Sequence, residues 1–295
     1  MANSTGLVIE DLAKTYGNGV RALDSVSLRV PPGMYGLLGP NGAGKSTLMR
    51  TLATLQEPDR GRLFLDGEDV LAAPDHLRQR LGYLPQQIGA YAGVPARDLL
   101  NRFAWLKGRH RRSERQEEVE ILLEKVNLRE VAHRPASTFS GGMLRRFGIA
   151  LALIGSPRLL IVDEPTAGLD PAERNQFHRV LADTANNSVV LLSTHIVEDV
   201  ENLCDRLAIL ANGRLLAEGT PAALTRPYQG MLWEASFERD EPVPEEALRV
   251  LPQPGGRRVI RHAERAPDDR FVSRPPRLED VYYLALENAG RGTAA

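Results

Sequence analysis

The sequence predicts an α/β fold: a parallel core sheet with an antiparallel β subdomain and a helical subdomain, followed by a small C-terminal α+β appendage. The first supporting observation is a glycine-rich loop, 39–46, between an apolar strand pattern, 34–38, and a helix pattern. The others are two apolar runs, 159–162 and 189–192, each followed by polar side chains. An apolar run followed by polar side chains is typical of a buried parallel strand. In open α/β sheets the active groups collect at the carboxyl ends of such strands.

The glycine-rich loop matches the phosphate-binding pattern G-x-x-x-x-G-K-[ST] at every fixed position. Its residues are Gly39, Pro40, Asn41, Gly42, Ala43, Gly44, Lys45 and Ser46. The glycines and the helix start expose N–H groups and a partial positive charge to an anion. Lys45 can then reach the β- and γ-phosphates of a nucleotide, and the Ser46 hydroxyl can hold Mg²⁺. A chance match is disfavoured because a strand and a helix both flank the loop.

The helix after the loop is expected to bury one face. That face consists of Thr47, Leu48, Leu52 and Leu55. Thr47 is also expected to bind the nucleotide. Strand patterns around the loop occur at 7–10, 25–30 and 62–66. Tyr16 lies between the first two strands, and Gln86 follows a short apolar strand. Taken alone, a tyrosine there is more often a packing residue, and a lone glutamine is a surface residue.

The middle of the chain, from 95 to 131, has a helical pattern with two apolar faces. The first face contains Leu99, Leu100, Phe103 and Leu106, and the second contains Val119, Leu122, Leu123 and Val126. Arginines 109, 111, 112 and 115 lie between them, with acidic residues beside them. Such a cluster can bind nucleic acid or lipid headgroups, but the interspersed acids favour a solvated helix face.

Ser140-Gly141-Gly142 precedes a helix predicted over 143–155. Ser140 can cap this helix, and the two glycines allow an anion to approach its N-terminus. An ordinary capped helix explains the triplet equally well when it is considered alone.

Two adjacent carboxylates, Asp163 and Glu164, follow the apolar run 159–162. Neighbouring side chains at a strand end point in different directions, so the two acids can have different roles. Asp163 can bind Mg²⁺ directly or through water, and Glu164 can polarise an attacking water. The alternative, a strand that ends in a polar turn, is disfavoured once the phosphate loop is taken into account.

The remaining patterns place a turn at Gly168-Leu169-Asp170, a helix at 171–184 and a histidine, His195, after the strand 189–192. A histidine at a strand end is usually structural. A hairpin is predicted at 207–217 around the Asn212-Gly213 turn. After Gly219 the composition changes, with an expected edge strand at 231–237 and a terminal helix at 276–286.

Composition excludes several classes of protein. The net charge of −1 argues against bulk electrostatic binding of nucleic acid. Cys204 is the only cysteine, so neither an internal disulfide nor a four-cysteine metal site can form. The most apolar region, 147–162, is interrupted by Gly155, Ser156, Pro157 and Arg158. We therefore expect a chain that is soluble by itself, with no signal peptide and no direct membrane insertion.

Together these motifs resemble the ATP-binding cassette (ABC) family over about residues 5–220, with the helical subdomain at about 87–145. Residues 221–295 would form an accessory domain. The motifs follow the family's order, which is Tyr16, the 39–46 loop, Gln86, Ser140-Gly141-Gly142, Asp163-Glu164, Asp170 and His195. The resemblance implies ATP and Mg²⁺ as ligands and ATP hydrolysis as the reaction.

The resemblance also implies roles for single residues. Tyr16 would stack on adenine, and Gln86 would touch Mg²⁺ and the water and relay the nucleotide state to a partner. Ser140-Gly141-Gly142 would contact the γ-phosphate of ATP held by a second ATP-binding subunit, in a homodimer or heterodimer. Asp170 would lie across the same interface, and His195 would contact the γ-phosphate.

One position departs from the family pattern, because Met143 stands where most members carry glutamine. Methionine at this position is similar to a subset of exporter ATPases that includes drug-resistance types, and the run 276–282 resembles their C-terminal tail. The resemblance thus implies an exporter ATPase subunit at the cytoplasmic face of the membrane, held there by a permease subunit.

Three other functions are alternatives that the sequence disfavours. A soluble ABC ATPase acting on nucleic acid or ribosomes is disfavoured by the single cassette, the lack of a heptad run and the near-neutral charge. A non-catalytic nucleotide sensor is disfavoured by intact Asp163, Glu164 and His195. A small-molecule kinase is less favoured still, because no signature of a second substrate pocket is present.

Overall fold

The computed structural model describes residues 6–89, 92–165 and 171–292. The strands within these ranges are β1 (Leu7–Thr15), β2 (Arg21–Val30), β3 (Gly33–Leu38), β4 (Arg60–Leu65), β5 (Glu68–Asp69), β6 (Leu81–Leu84), β7 (Leu159–Asp163), β8 (Val189–Thr194), β9 (Arg206–Ala211), β10 (Arg214–Gly219), β11 (Leu232–Glu238), β12 (Arg249–Gln253), β13 (Gly256–His262) and β14 (Val272–Ser273). The helices are α1 (Lys45–Leu52), α2 (Pro74–Arg80), α3 (Ala96–Leu106), α4 (Arg112–Lys125), α5 (Gly141–Leu153), α6 (Pro171–Ala185), α7 (Val197–Leu203), α8 (Pro221–Thr225) and α9 (Leu278–Gly292). Two short 3₁₀ helices lie at Ala136–Thr138 and Arg226–Tyr228.

The core sheet has the strand order β10-β9-β3-β8-β7-β6. Strands β9, β3, β8, β7 and β6 run parallel to one another, and β10 is antiparallel to β9. Because parallel strands have their carboxyl ends at one edge, the segments after β3, β6, β7 and β8 meet there. The predicted α/β fold with a parallel core sheet is confirmed, and so is the hairpin of β9 and β10.

Each central strand is buried on both faces, which explains its continuous apolar run. Leu159 and Ile161 of β7 belong to a hydrophobic cluster shared with the first antiparallel sheet, β2-β1-β4-β5, and with α1. Leu160 and Val162 belong to the opposite cluster, which includes Phe147 of α5. The alternation of β7 side chains therefore places α1 and α5 on opposite faces of the core sheet.

Two details of the helix predictions are wrong. Leu48 and Leu52 of α1 are fully buried, but Leu55 lies beyond the end of the helix and is 57% exposed. Leu106, the last residue of α3, is 68% exposed, whereas Leu99 and Leu100 are buried. In both cases the exposed leucine stands at the end of a helix or beyond it, where an apolar pattern defines the helix boundary poorly.

The C-terminal part contains an antiparallel sheet of order β12-β13-β11-β14. The edge strand predicted at 231–237 is wrong, because β11 pairs with β13 on one side and with the two-residue β14 on the other. Helix α9 then returns to contact α7, α8, β9 and β10. Its first turn is fixed by the fully buried Asp280, which accepts a hydrogen bond from the Arg277 N–H at 2.8 Å.

Within the described residues, no helix has both the length and the apolar character needed to cross a bilayer.

Candidate functional site

A cavity of about 670 Å³ lies at the carboxyl edge of the core sheet. Its walls come from the loop after β3, the first turn of α1, the start of the segment after β6 and the end of β7. The lining residues include Tyr16, Val20, Pro40, Asn41, Gly42, Ala43, Gly44, Lys45, Ser46, Thr47, Gln86 and Glu164. Sequence positions that are far apart thus meet in one concave site, as the strand order predicts.

The glycine-rich loop adopts a shape that side chains would prevent. Gly44 has φ of 105°, and a Cβ built on it would lie 2.3 Å from the Ala22 carbonyl oxygen. Gly42 also has positive φ, 79°. Helix α1 begins at Lys45 with no side-chain cap. Its first N–H groups can therefore bind an anion in the cavity.

Lys45 is buried at the base of the loop, with 5% of the residue exposed. Its Nζ donates hydrogen bonds to the carbonyl oxygens of Gly39 at 2.7 Å and Pro40 at 3.1 Å. Burial lowers the pKa of Lys45, while the Glu164 and Asp163 carboxylates act in the opposite direction. The ammonium group is held in the loop, where the negative charge of a phosphate would offset the free-energy cost of burying it.

Glu164 is the residue on which the other polar side chains converge. Its Oε1 lies 3.1 Å from His195 Nδ1 and 3.9 Å from Lys45 Nζ. Its Oε2 accepts a hydrogen bond from Gln86 Nε2 at 3.4 Å. A carboxylate between an imidazole, an amide and an ammonium group is placed to act on a water molecule in the cavity.

The backbone of Glu164 is in the left-handed region, with φ of 46°. Such a conformation costs a non-glycine residue about 1–3 kcal/mol and is typical of functional sites. It is held by a hydrogen bond from the Glu164 N–H to Ser193 O at 2.8 Å. A second hydrogen bond, from Arg145 Nη2 to Glu164 O at 2.6 Å, holds the other side of the residue.

The residues present fit a magnesium ion. Asp163 is 5% exposed, and its Oδ1 is buried with no hydrogen-bond partner in the described part of the chain. Burial raises the pKa of Asp163, the nearby Ser193 hydroxyl acts in the opposite direction, and the adjacent Glu164 charge adds to the rise. A divalent cation would supply the missing partner and offset the burial. Ser46 and Gln86 line the cavity, as does Glu164, the residue after Asp163. With phosphate oxygens and water, Ser46 and Gln86 would complete the ligand set.

Tyr16 lies at the rim of the cavity and is 38% exposed. Its hydroxyl is 3.1 Å from Thr47 Oγ1 and 3.2 Å from Gln56 Oε1. The hydroxyl is thus anchored to the helix behind the loop, and the ring remains at the mouth of the cavity.

The predicted Ser140-Gly141-Gly142 motif lies outside this cavity. Ser140 and Gly141 are exposed at the N-terminus of α5, and Ser140 Oγ accepts a hydrogen bond from Met143 N–H at 3.2 Å. A Cβ on Gly141 would meet no atom within 4 Å. The structure therefore brings together Tyr16, the loop, Gln86, Asp163, Glu164 and His195, but not this motif. Asp170 lies outside the described residues.

Sequence reasoning missed Arg145, which is buried on α5 directly behind the site. Its guanidinium donates to main-chain carbonyls of the Gln86 and Glu164 segments. Sequence patterns could not reveal it, because its acceptors are main-chain carbonyl oxygens, which any residue type provides. One of these acceptors, the Pro85 carbonyl, is 60 positions away along the chain.

Comparison with known proteins agrees with this site. Residues 23–167 match the family model described as ABC transporter. The chain is 40% identical over 223 residues to the daunorubicin/doxorubicin resistance ATP-binding protein DrrA of Streptomyces peucetius, covering 72% of this chain and 64% of that protein. It is 35% identical over 291 residues to the Nod factor export ATP-binding protein I of Burkholderia orbicola, covering 92% and 94%. A solved structure of an ATP-binding subunit of an ABC transporter matches with a TM-score of 0.70 and 30% identity, covering 76% and 93%.

The parallel sheet, the phosphate-binding loop and the polar residues around it define a nucleotide-binding cassette. The chain belongs to the ABC transporter family, within the group of ATP-binding proteins that includes export types. It spans less than two thirds of the length of the Streptomyces relative. These relatives do not favour the alternative of a soluble ABC ATPase acting on nucleic acid.

Proposed function

We propose that this chain hydrolyses ATP to ADP and phosphate and is the nucleotide-binding subunit of an ABC exporter. The observation that carries the proposal is the convergence of Lys45, Gln86 and His195 on Glu164 beside the phosphate-binding loop. A sensor that only binds nucleotide would not need a carboxylate positioned in this way.

In the proposed reaction the triphosphate lies along the loop, with its charge stabilised by the α1 N–H groups and Lys45. Tyr16 stacks on the adenine, and Thr47 lies beside the loop. Glu164 accepts a proton from the attacking water, and Gln86 orients that water. His195 stabilises the charge that develops on the γ-phosphate.

When bound with the nucleotide, Mg²⁺ would neutralise part of the phosphate charge. Asp163, Ser46 and Gln86 would hold it. The unpartnered buried oxygen of Asp163 supports this assignment.

A second ATP-binding subunit completes the site in this proposal. The exposed position of Ser140 and the open space beside Gly141 suit contact with a γ-phosphate held by the opposite subunit. Asp170 would lie across the same interface. ATP-driven closure of the dimer, followed by opening after hydrolysis, would transmit work to a membrane permease.

The assignment as an exporter is supported by the relatives, whose names describe drug resistance and Nod factor export. The methionine at 143 and the tail 276–282 support it from the sequence. The proposed location is the cytoplasmic face of the membrane, where the chain is held by its permease partner.

The substitution Glu164→Gln tests the proposed chemistry. It keeps the shape of the side chain but removes the base, so we expect phosphate release to fall by about 100-fold or more. Binding of ATP, measured with a fluorescent analogue, should be retained, and a closed dimer should accumulate. The matched control is Glu114→Gln, which changes an exposed carboxylate on α4 that pairs with Arg111. Turnover by Glu164→Gln at the rate of this control would refute the role of Glu164.

A further inference from the structure

Arg145 is a buried cation surrounded by main-chain oxygens. Its Nε donates to Pro165 O at 3.0 Å, and its Nη2 donates to Asp163 O at 3.1 Å and Glu164 O at 2.6 Å. Its Nη1 donates to the carbonyl oxygens of Pro85 and Gln86, both at 3.0 Å. One planar group thus holds two chain segments that follow different strands of the core sheet.

The two edges of the guanidinium donate hydrogen bonds to different segments of the main chain. The Nη1 edge holds the segment that carries Gln86, and the Nε and Nη2 edge holds the segment that carries Glu164. Because a guanidinium is planar and its donors are fixed relative to one another, the two segments cannot shift independently while both sets of bonds persist. Gln86 and Glu164 are the two side chains that meet over the cavity.

The local packing brings α5 close enough for this arrangement. A Cβ on Gly148, one turn after Arg145, would lie 2.3 Å from Ile88 Cδ1 and 2.8 Å from Leu84 Cδ1. A glycine at this position therefore lets the helix lie against the Gln86 segment. Burial lowers the pKa of Arg145, and the Asp163 and Glu164 charges oppose this effect. An arginine remains charged in such a setting, whereas a lysine titrates more readily.

We propose that Arg145 is a positioning residue for ATP hydrolysis, which ties the main chain at Gln86 to the strained main chain at Glu164. The tie sets the distance between the two side chains and passes a displacement of the Gln86 segment directly to Glu164. This inference rests on the proposed function, since it assigns how the same site is held in its working geometry.

The substitution Arg145→Lys tests the tie, because the single ammonium group of lysine lacks the planar fork of donors and cannot hold both segments at once. We expect kcat to fall by about 10- to 100-fold while the affinity for ATP stays within about twofold, since a shift of about 1 Å has effects of this size. Amide hydrogen exchange in residues 159–165 should become about tenfold faster. The matched control is Arg158→Lys, at the opposite end of β7, where the arginine also donates to a main-chain carbonyl, that of Asn187. This control should keep the wild-type kcat.

A double-mutant cycle identifies the route of action. If Arg145 works through Gln86, Arg145→Lys combined with Gln86→Ala should cost little more than the larger single change. Independent, additive losses would overturn the proposed tie. Wild-type kcat in Arg145→Lys would also overturn it, and so would a loss of stability with unchanged kcat at saturating ATP.

A second variant covers the case in which Arg145→Lys does not fold. Pro85→Gly loosens the acceptor segment without changing the guanidinium, and we expect faster exchange to appear at 159–165 as well as at 82–88. Unchanged exchange at 159–165 would contradict the tie. Absence of hydrolysis by the wild-type chain would instead refute the proposed function, and the exchange experiment would still decide the tie.

Discussion

Lys107 is a single residue whose partial burial affects stability. It follows α3, and its Nζ donates a hydrogen bond to the Leu81 carbonyl oxygen. Burial lowers the pKa of Lys107 from 10.5 to about 8, although the nearby Glu118 carboxylate acts in the opposite direction. Below pH 8 the folded protein therefore carries the cost of burying a charged ammonium group.

This burial predicts a pH dependence of the free energy of unfolding. Between pH 8 and about 10.5 the unfolded chain binds more protons at Lys107 than the folded chain, so this residue's contribution to stability should rise with pH. Substitution Lys107→Met removes the titration. We expect the free energy of unfolding of the wild type, minus that of the variant, to increase from pH 7.5 to pH 9.5 in urea titrations. A difference that is constant or falls over this range would contradict the prediction.

The residues of the candidate site show what a sequence can and cannot reveal. Lys45 and Ser46 were predicted from a fixed motif, and Asp163 and Glu164 from their place after a buried strand. The left-handed backbone of Glu164 and the burial of Lys107 were not predicted. Both depend on contacts with segments that are distant along the chain, Ser193 in one case and Leu81 in the other.

At the scale of elements, helix α5 rests on strand β6 through a glycine. A Cβ on Gly82 would lie 2.1 Å from the Ala152 carbonyl oxygen, which is backbone and cannot move without shifting the helix. The close approach places Arg145 and the Gln86 segment within reach of each other. Since Ser140 caps the N-terminus of α5, this contact links the buried site to the exposed motif.

Substitution Gly82→Ala tests this contact. Because the added methyl group meets fixed backbone, we expect a loss of about 1–3 kcal/mol in the free energy of unfolding. The midpoint of a urea titration should fall with no change in slope. The control is Gly89→Ala, at a position where a Cβ meets no atom within 4 Å. Equal midpoints for the two variants would contradict the prediction and would show that α5 can shift away from β6 at little cost in free energy.

The elements themselves were predictable where one pattern is continuous. The parallel strands β7 and β8 and the N-terminal cap of α5 follow from apolar runs and a capping serine. The ends of α1 and α3 and the inner position of β11 were not predicted. Helix ends and strand neighbours depend on tertiary packing, which leaves only a weak trace in local patterns.

At the scale of the whole molecule, the chain combines a cassette with a C-terminal sheet and a helix that returns to the cassette. The boundary predicted between 220 and 221 stays a prediction, since α9 contacts β9 and β10 as well as α7. A cavity of about 500 Å³ between α7 and α9 is lined by His195, Tyr282 and Tyr283, among other residues. The C-terminal helix therefore lies close to a residue of the candidate site.

If the proposed second ATP-binding subunit is another copy of this chain, each copy holds half of the other's site. Substitution Ser140→Arg blocks the exposed motif but leaves the loop intact, whereas Lys45→Ala disables the loop but leaves the motif intact. Each variant alone should release phosphate at a small fraction of the wild-type rate. In a mixed dimer, one loop would face one intact motif and form a single working site.

The most direct measurement is the rate of phosphate release by an equal mixture of these two variants. With random pairing, half of the dimers are mixed and each has one of two sites, so we predict about a quarter of the wild-type rate. A mixture as inactive as its components would contradict the account, and so would Ser140→Arg alone turning over at the wild-type rate.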